Sequence, residues 1–118
     1  MRLIYICSPY RAENETEMDR NIDYAQQLTR EVLMQGGAPI TPHLYMTQCL
    51  DEKNEEERAI GIAAGAEILE ICDVVFVGTR YGISDGMREE ITTAQKRGIP
   101  LQFGEMPRSK TQTGRRGI

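Results

Sequence analysis

The sequence predicts an α/β fold built on a parallel β-sheet, and two observations carry this prediction. Four short runs rich in β-branched and aromatic residues alternate with three longer segments in which apolar residues recur at helical spacing. Strands that alternate with helices in this way form a parallel sheet with helices on both faces. The 118 residues suffice for one hydrophobic core but not for two, so we expect a single domain.

The first half of the chain supplies two strands and one long helix. The run RLIYIC, at 2–7, predicts a buried strand. Apolar residues at helical spacing predict a helix over 13–35, which Gly36 and the glycine after it bring to an end. The run APIT, at 38–41, predicts the second strand. The segment 43–50 is compatible with either a short helix or a structured loop.

The second half continues the alternation. A helix is predicted over 54–71, where an acidic start suits the positive end of the helix dipole. DVVFVG, at 73–78, is the most hydrophobic strand, so we expect it to lie centrally in the sheet. A third helix is predicted over 85–97 and is closed by Gly98. The last strand is IPLQF, at 99–103.

Composition limits the class of protein. Apolar residues make up 40% and charged residues 27% of the chain, and no apolar run reaches membrane-spanning length. The first residues enter a strand pattern at once and do not form a secretory signal, so we expect a cytoplasmic protein without a membrane partner. Cys7, Cys49 and Cys72 form no CxxC pair, and we expect all three to be buried thiols.

The net charge of −4 is unevenly distributed. Residues 106–118 contain four basic residues and no acid, so the body, residues 1–105, carries a net charge of −8. An acidic body argues against nucleic-acid binding. We therefore divide the chain into a domain at 1–105 and a basic tail at 106–118, which we expect to be flexible or to order against a neighbouring subunit. A tail that recruits an acidic partner, in an interaction protein, is one alternative.

The expected fold predicts where a ligand binds. In open parallel sheets the site lies beyond the carboxyl ends of the strands, where the strand order reverses. Two loops meet there, CSPYRAEN after the first strand and GTRYGISDGM after the third. The phosphate-loop and dinucleotide fingerprints are absent. The loops offer a carboxylate, tyrosines, hydroxyls, an arginine and the free amides of a helix capped by Ser84 or Asp85, which suit a polar small molecule.

Two adjacent glutamates, Glu89 and Glu90, follow the second of these loops. On a helix they point about 100° apart, so only one of them can face the crevice. Glu90 neighbours Met87 and Ala94, which mark the buried side of the helix, and we therefore favour Glu90. A carboxylate beside a sugar can attack its anomeric carbon or stabilise an oxocarbenium-like transition state.

Three segments together carry a resemblance to a known family. IYICSPYR at 4–11, CDVVFVG at 72–78 and SDGMREEI at 84–91 resemble the nucleoside 2-deoxyribosyltransferase superfamily, and specifically an uncharacterised branch with the SPYR loop. The resemblance implies a flavodoxin-like three-layer sandwich with a four- to five-stranded parallel sheet. It implies Glu90 as the nucleophile on C1′ and Tyr5 as the residue that orients it. It further implies a homo-oligomer, no metal and no organic cofactor.

The two loops and the segment after the second strand supply the expected substrate-binding residues. We expect Ser8 and Arg11 to contact ribose or phosphate, and the turn at 84–86 to hold the same groups. His43 lies just past the second strand, at the same edge of the sheet. The full predicted substrate-binding set is Ser8, Pro9, Tyr10, Arg11, His43, Ser84, Asp85, Gly86 and Met87.

Two functions follow from this reading. The first is cleavage or transfer of the N-glycosidic bond of a nucleoside or nucleoside 5′-monophosphate through Glu90. The alternative is a sensor or sequestering module that binds a nucleotide in the same crevice without cleaving it. Gly65 favours the alternative, because the superfamily's characterised enzymes carry a sugar-binding aspartate at this position, eight residues before Asp73.

Overall fold

A four-stranded sheet, parallel throughout, forms the centre of the computed structural model, which describes residues 1–108. The strands are β1 (Leu3–Cys7), β2 (Ala38–Ile40), β3 (Val74–Gly78) and β4 (Leu101–Gly104). They lie in the order β2-β1-β3-β4, so the strand order reverses between β1 and β3. This is the flavodoxin-like arrangement, and the predicted fold class is confirmed, with four strands in the described part of the chain.

The helices match the predicted segments to within about two residues at each end, the scatter expected of helix boundaries. The segment 43–50, predicted as either a short helix or a structured loop, contains most of a 3₁₀ turn, Pro42–Leu44, followed by a short helix. The helices are α1 (Glu15–Met34), α2 (Met46–Cys49), α3 (Glu55–Glu70) and α4 (Asp85–Arg97). No helix within residues 1–108 is long and apolar enough to cross a membrane.

Helices cover both faces of the sheet because its central strands are apolar on both sides. On the first face, which we call the α1 face, Ile6 and Phe76 pack against Tyr24, Leu28 and Val32 of α1. On the opposite face, the α3–α4 face, the strand residues meet the two later helices. That cluster comprises Tyr5, Cys7, Leu69, Cys72, Val75, Val77, Met87 and Ala94. Alternation along β1 therefore sends Tyr5 and Cys7 to the same face.

The prediction that all three cysteines are buried is confirmed for two of them. Cys7 and Cys72 are buried, but the prediction for Cys49 is wrong, because Cys49 lies in the short helix α2 and is exposed.

The start of the predicted tail contacts the domain. Met106 packs against the α1-face core, and the backbone oxygen of Pro107 accepts a hydrogen bond from Gln35 at 2.9 Å. The rest of the tail prediction concerns residues 109–118, outside the described residues.

Candidate active site

A cavity of about 370 Å³ opens at the carboxyl ends of β1 and β3, where the sequence predicts the site. Its walls come from the two predicted loops, from the segment 42–47 and from α3. A second groove, of about 460 Å³, lies on the α1 face beside β4. Within residues 1–108, two buried side-chain oxygens have no hydrogen-bond partner, and both belong to residues that line the first cavity. The first cavity is therefore the candidate site.

Glu90 and Tyr5 meet in this cavity, although 85 positions separate them in the sequence. The Tyr5 hydroxyl donates a hydrogen bond to Oε2 of Glu90. The other carboxyl oxygen, Oε1, is buried and has no partner within residues 1–108. Glu90 thus presents one oriented oxygen and one free oxygen.

The environment changes the acidity of both groups. Burial raises the pKa of the Glu90 carboxyl to about 7; the hydrogen bond from Tyr5 and the nearby Cys7 thiol partly oppose this rise, and the charge of Glu89 adds to it. Burial and the neighbouring charge of Glu90 raise the pKa of Tyr5 well above its ordinary value. Tyr5 therefore keeps its proton and acts as a donor, while Glu90 exchanges its proton near neutral pH.

Helix α4 positions Glu90 through its own caps. The Ser84 hydroxyl accepts a hydrogen bond from the backbone amide of Met87 at 3.3 Å, which fixes the first turn. Gly98 closes the helix with φ of 71°, in the left-handed region that favours glycine. Because Met87 is buried against the sheet, Glu90, one turn later, also faces inward, whereas Glu89 is exposed.

The loop after β1 contributes a second enclosed oxygen and an aromatic pair. Ser8 is 1% exposed, and its Oγ has no hydrogen-bond partner in the described chain. The rings of Tyr10 and His43 stack with their centroids 5.1 Å apart and their planes 16° from parallel. Burial lowers the pKa of His43 to about 4, and a hydrogen bond to the backbone of Ser8 opposes this only in part. His43 is therefore neutral at physiological pH.

The structure brings most of the predicted residues together. The cavity walls include Tyr5, Ser8, Tyr10, Arg11, His43, Ser84, Asp85, Gly86, Met87 and Glu90. Pro9 is buried but does not line the cavity. Asp85 pairs with Arg88 at 2.9 Å on the surface, and the side chain of Met87 is 1% exposed within the core. The roles of these residues in binding remain predictions.

Apart from Gly65, sequence reasoning missed the wall formed by α3. Gly61, Ile62, Gly65 and Ala66 line the cavity, with Arg58 beyond them. The signal in the sequence was the pair of glycines four residues apart in a helix, where glycine costs about 1 kcal/mol relative to alanine and so calls for a reason.

Gly65 has such a reason. A Cβ at this position would lie 3.3 Å from the hydroxyl oxygen of Tyr5, closer than an ordinary contact. The absence of a side chain at position 65 therefore leaves room for the Tyr5 hydroxyl beside Glu90. Cys7, two residues along the same strand, is the other neighbour that sequence reasoning missed, and its thiol also lies 3.8 Å from the backbone oxygen of Met87.

Within residues 1–108, no three His, Cys, Asp or Glu side chains cluster closely enough to hold a metal ion. The polar atoms at the cavity are instead the carboxylate, hydroxyl and imidazole groups described above, which suit hydrogen bonding to an organic ligand.

Comparison with known proteins agrees with this geometry at the level of the fold. Residues 2–104 match a family described as a domain of unknown function (DUF7768). Among solved structures, the chain is similar to the 2-deoxyribosyltransferase from the psychrotolerant bacterium Bacillus psychrosaccharolyticus, with a TM-score of 0.61 and 22% sequence identity. The similarity covers 86% of this chain and 70% of that one. No protein of curated function matches the sequence. The predicted resemblance is thus confirmed as a shared fold.

Proposed function

The chain belongs to the DUF7768 family, and on that premise we propose that it cleaves or transfers the N-glycosidic bond of a nucleoside or nucleoside 5′-monophosphate. The observation that carries the proposal is the Glu90 carboxyl, which is buried in the cavity with Oε2 held by Tyr5 and Oε1 without a partner in the described part of the chain. A carboxylate oriented in this way is suited to attack an anomeric carbon. The shared fold with a 2-deoxyribosyltransferase supports the same class of ligand.

In the proposed reaction, Oε1 of Glu90 attacks C1′ of the sugar. The C1′–N bond breaks, its electron pair leaves with the base, and the base takes a proton from solvent. The resulting glycosyl ester on Glu90 is resolved when the oxygen of water, or a nitrogen of a second base, attacks C1′, loses its proton to solvent and releases the carboxylate. Tyr5 keeps its proton and holds Oε2 throughout.

The remaining walls are suited to the two parts of such a substrate. The enclosed Ser8 hydroxyl has no hydrogen-bond partner among residues 1–108, and leaving it unpaired costs about 1–3 kcal/mol, so it favours a ligand with a sugar hydroxyl. The neutral His43 keeps one ring nitrogen that can accept a hydrogen bond from the ligand. Ile62, Gly65 and Ala66 of α3 form an apolar wall that suits a flat base.

The direct test measures free base by chromatography after incubation with a panel of nucleosides and nucleoside 5′-monophosphates. The wild-type chain is expected to release base from at least one of them. Glu90→Gln should lower that rate by at least about 1,000-fold, the order of loss seen when a nucleophile is removed. Glu67→Gln is the matched control, because Glu67 is an exposed helical glutamate that does not line the cavity. Equal rates of base release by Glu90→Gln and the wild type would exclude Glu90 as the nucleophile.

The binding module remains the second candidate, and Gly65 is the observation that favours it. At this position the chain has no carboxylate to hold the sugar, although the residue lines the cavity. A thermal shift on the same panel separates the two functions. A ligand at 100 times its Kd stabilises a protein by about 2.7 kcal/mol. Stabilisation with no base released would favour the binding module, and base release would favour the enzyme.

The proposal includes a homo-oligomer, and α3 supplies the candidate surface. This helix is apolar on most sides, yet only Gly65 and Leu69 in it are buried. A helix with apolar residues all round is usually covered on more than one side. Ile60, 60% exposed, lies on its outer side. Light scattering on the wild type and on Ile60→Glu is expected to show an oligomer that the variant loses. A monomeric wild type would contradict this assignment.

A further inference from the structure

The predicted ligand contacts lie mainly on two loops that have no regular secondary structure. We call residues 8–14, between β1 and α1, the first site loop, and residues 79–84, between β3 and α4, the second site loop. The first carries Ser8, Tyr10 and Arg11, and the second ends at Ser84, the cap of α4. Loops of this kind move unless other contacts hold them, so the contacts between them determine the shape of the cavity.

On its outer side, away from the cavity, the first site loop is held by α1. Asn21 is 1% exposed, and its Nδ2 donates hydrogen bonds to the backbone oxygens of Tyr10 at 3.2 Å and Arg11 at 3.4 Å. Its Oδ1 in turn accepts from Nε and Nη2 of Arg20, at 3.3 and 3.0 Å. Arg20 therefore fixes the amide orientation in which Asn21 holds the loop.

The second site loop reaches the same arginine. The guanidinium carbon of Arg20 lies 4.1 Å from the ring centroid of Tyr81, a cation–π contact. Tyr81 sits in a tight turn, in which the amide of Gly82 donates to the backbone oxygen of Thr79 at 3.0 Å. Gly82 has φ of 85°, so a residue with a side chain would be strained there. The ring of Tyr81 also packs edge-on against Tyr24, 5.3 Å away.

We propose that Arg20 and Tyr81 are positioning residues that join the two site loops from outside the cavity. The connection runs from the carbonyls of Tyr10 and Arg11 through Asn21 and Arg20 to the ring of Tyr81. Neither Arg20 nor Tyr81 lines the cavity. This connection fixes the position of one loop relative to the other. Groups on the two sides of the cavity can then contact one ligand at the same time.

The joint is modest in strength and acts on loop opening. Cation–π contacts at exposed sites change an equilibrium by about two- to fivefold. Loss of the joint should therefore increase local opening of both loops by that factor, while the sheet is unaffected. This part of the inference concerns the loops alone; only its consequence for the ligand rests on the proposed function.

Hydrogen exchange of the full chain, followed by mass spectrometry, tests the joint without any ligand. Tyr81→Ala is expected to raise exchange in the first site loop by about two- to fivefold, although position 81 is remote from it in sequence. Tyr81→Phe, which keeps the ring, should behave as the wild type. Arg20→Met should raise exchange in the first site loop by at least as much as Tyr81→Ala, because it also removes the two hydrogen bonds to Asn21, and it leaves Tyr24 in place. The double variant should open the loop no further than Arg20→Met alone.

One pattern of hydrogen exchange would contradict the joint between the loops. Faster exchange confined to 79–84 in Tyr81→Ala, with 8–14 unchanged both there and in Arg20→Met, would mean that the loops are independent. Unchanged exchange in β1 and β3 shows that each variant is folded.

Turnover adds a second readout, with 2′-deoxyadenosine and its 5′-monophosphate as probes. Arg20→Met should raise KM by about two- to fivefold and leave the pH midpoint of kcat unchanged, because Glu90 is untouched. A fall in kcat at constant KM would contradict a positioning role. If the wild type releases no base from any probe, the proposed function fails while the exchange result alone decides the inference.

Discussion

The α1 face and the cavity treat enclosed polar groups in opposite ways. On the α1 face, Asn21, Tyr24 and Thr41 all have hydrogen-bond partners within the chain. At the cavity, Ser8 Oγ and Glu90 Oε1 are as fully enclosed and have no partner within residues 1–108. Because an unpaired buried group costs free energy, the first set contributes to stability and the second reduces it. We propose that the unpaired groups at the cavity form their hydrogen bonds with a ligand.

The largest expected effect on stability comes from removing a hydrogen-bonded polar group on the α1 face. Asn21→Leu leaves the backbone oxygens of Tyr10 and Arg11 without their donor, so we expect a loss of about 1–3 kcal/mol in the free energy of unfolding. Urea denaturation measures it. Ser8→Ala is the counterpart on the cavity side, and it should leave stability unchanged or improved while ligand affinity falls. Equal losses in both variants would remove the contrast between the two regions.

The next effect concerns pH, because the cavity groups titrate. The pKa of Glu90 is raised from 4.5 to about 7, so its contribution to stability is full below pH 4.5 and is lost as the pH rises through 7. The pKa of His43 is lowered from 6.5 to about 4, so its contribution is full above pH 6.5 and is lost as the pH falls through 4. The two trends oppose each other between pH 4.5 and 6.5.

Single substitutions should expose these opposed trends. Between pH 4.5 and 6.5, we expect the stability of Glu90→Gln to rise with pH more steeply than that of the wild type. His43→Gln should rise less steeply or fall. The slopes should differ from wild type by up to about 1.4 kcal/mol per pH unit. Urea titrations at several pH values measure this. Asn21→Leu is the control, because it should shift the curve without changing its slope. Parallel curves for all variants would show that neither pKa is perturbed.

A smaller effect is expected at Gly65. Gly65→Ala adds a methyl group 3.3 Å from the Tyr5 hydroxyl, so the bond to Glu90 should loosen and base release should slow by about tenfold, or 1.4 kcal/mol. The free energy of unfolding should rise by up to about 1 kcal/mol, because alanine favours the helix. In a Tyr5→Phe background the added methyl should have no further effect on base release. A full extra tenfold loss there would mean that Gly65 acts independently of Tyr5.

The smallest effect is expected at Cys7. The nearby Cys7 thiol lowers the pKa of Glu90, so Cys7→Ala should move the pH midpoint for ionisation of Glu90 upward. Carbon-13 NMR of the Glu90 carboxyl follows this ionisation directly. Cys7→Ser keeps a donor at the same position and should leave the midpoint closer to that of the wild type. An unchanged midpoint in Cys7→Ala would show that Tyr5 alone holds the carboxylate.

The sequence by itself determined the sheet, its helices and the edge at which the cavity lies. These follow from periodicity and from turn residues, which are local properties; the helical wheel likewise separated Glu90 from Glu89. Resemblance to a family, and not any local pattern, pointed to Tyr5. Cys49 is exposed because the short helix α2 that carries it has no buried residue, and no local pattern in the sequence indicated this.

Only the tertiary structure decided the chemistry of the cavity. The Tyr5–Glu90 bond, the wall formed by α3 and the space beside Gly65 all depend on elements distant in sequence. The raised pKa of Glu90 and the lowered pKa of His43 arise from burial, which no single segment specifies. Desolvation depends on everything that surrounds a group in three dimensions. The sequence therefore determined where the cavity forms, and packing decided which of its oxygens have no partner among residues 1–108.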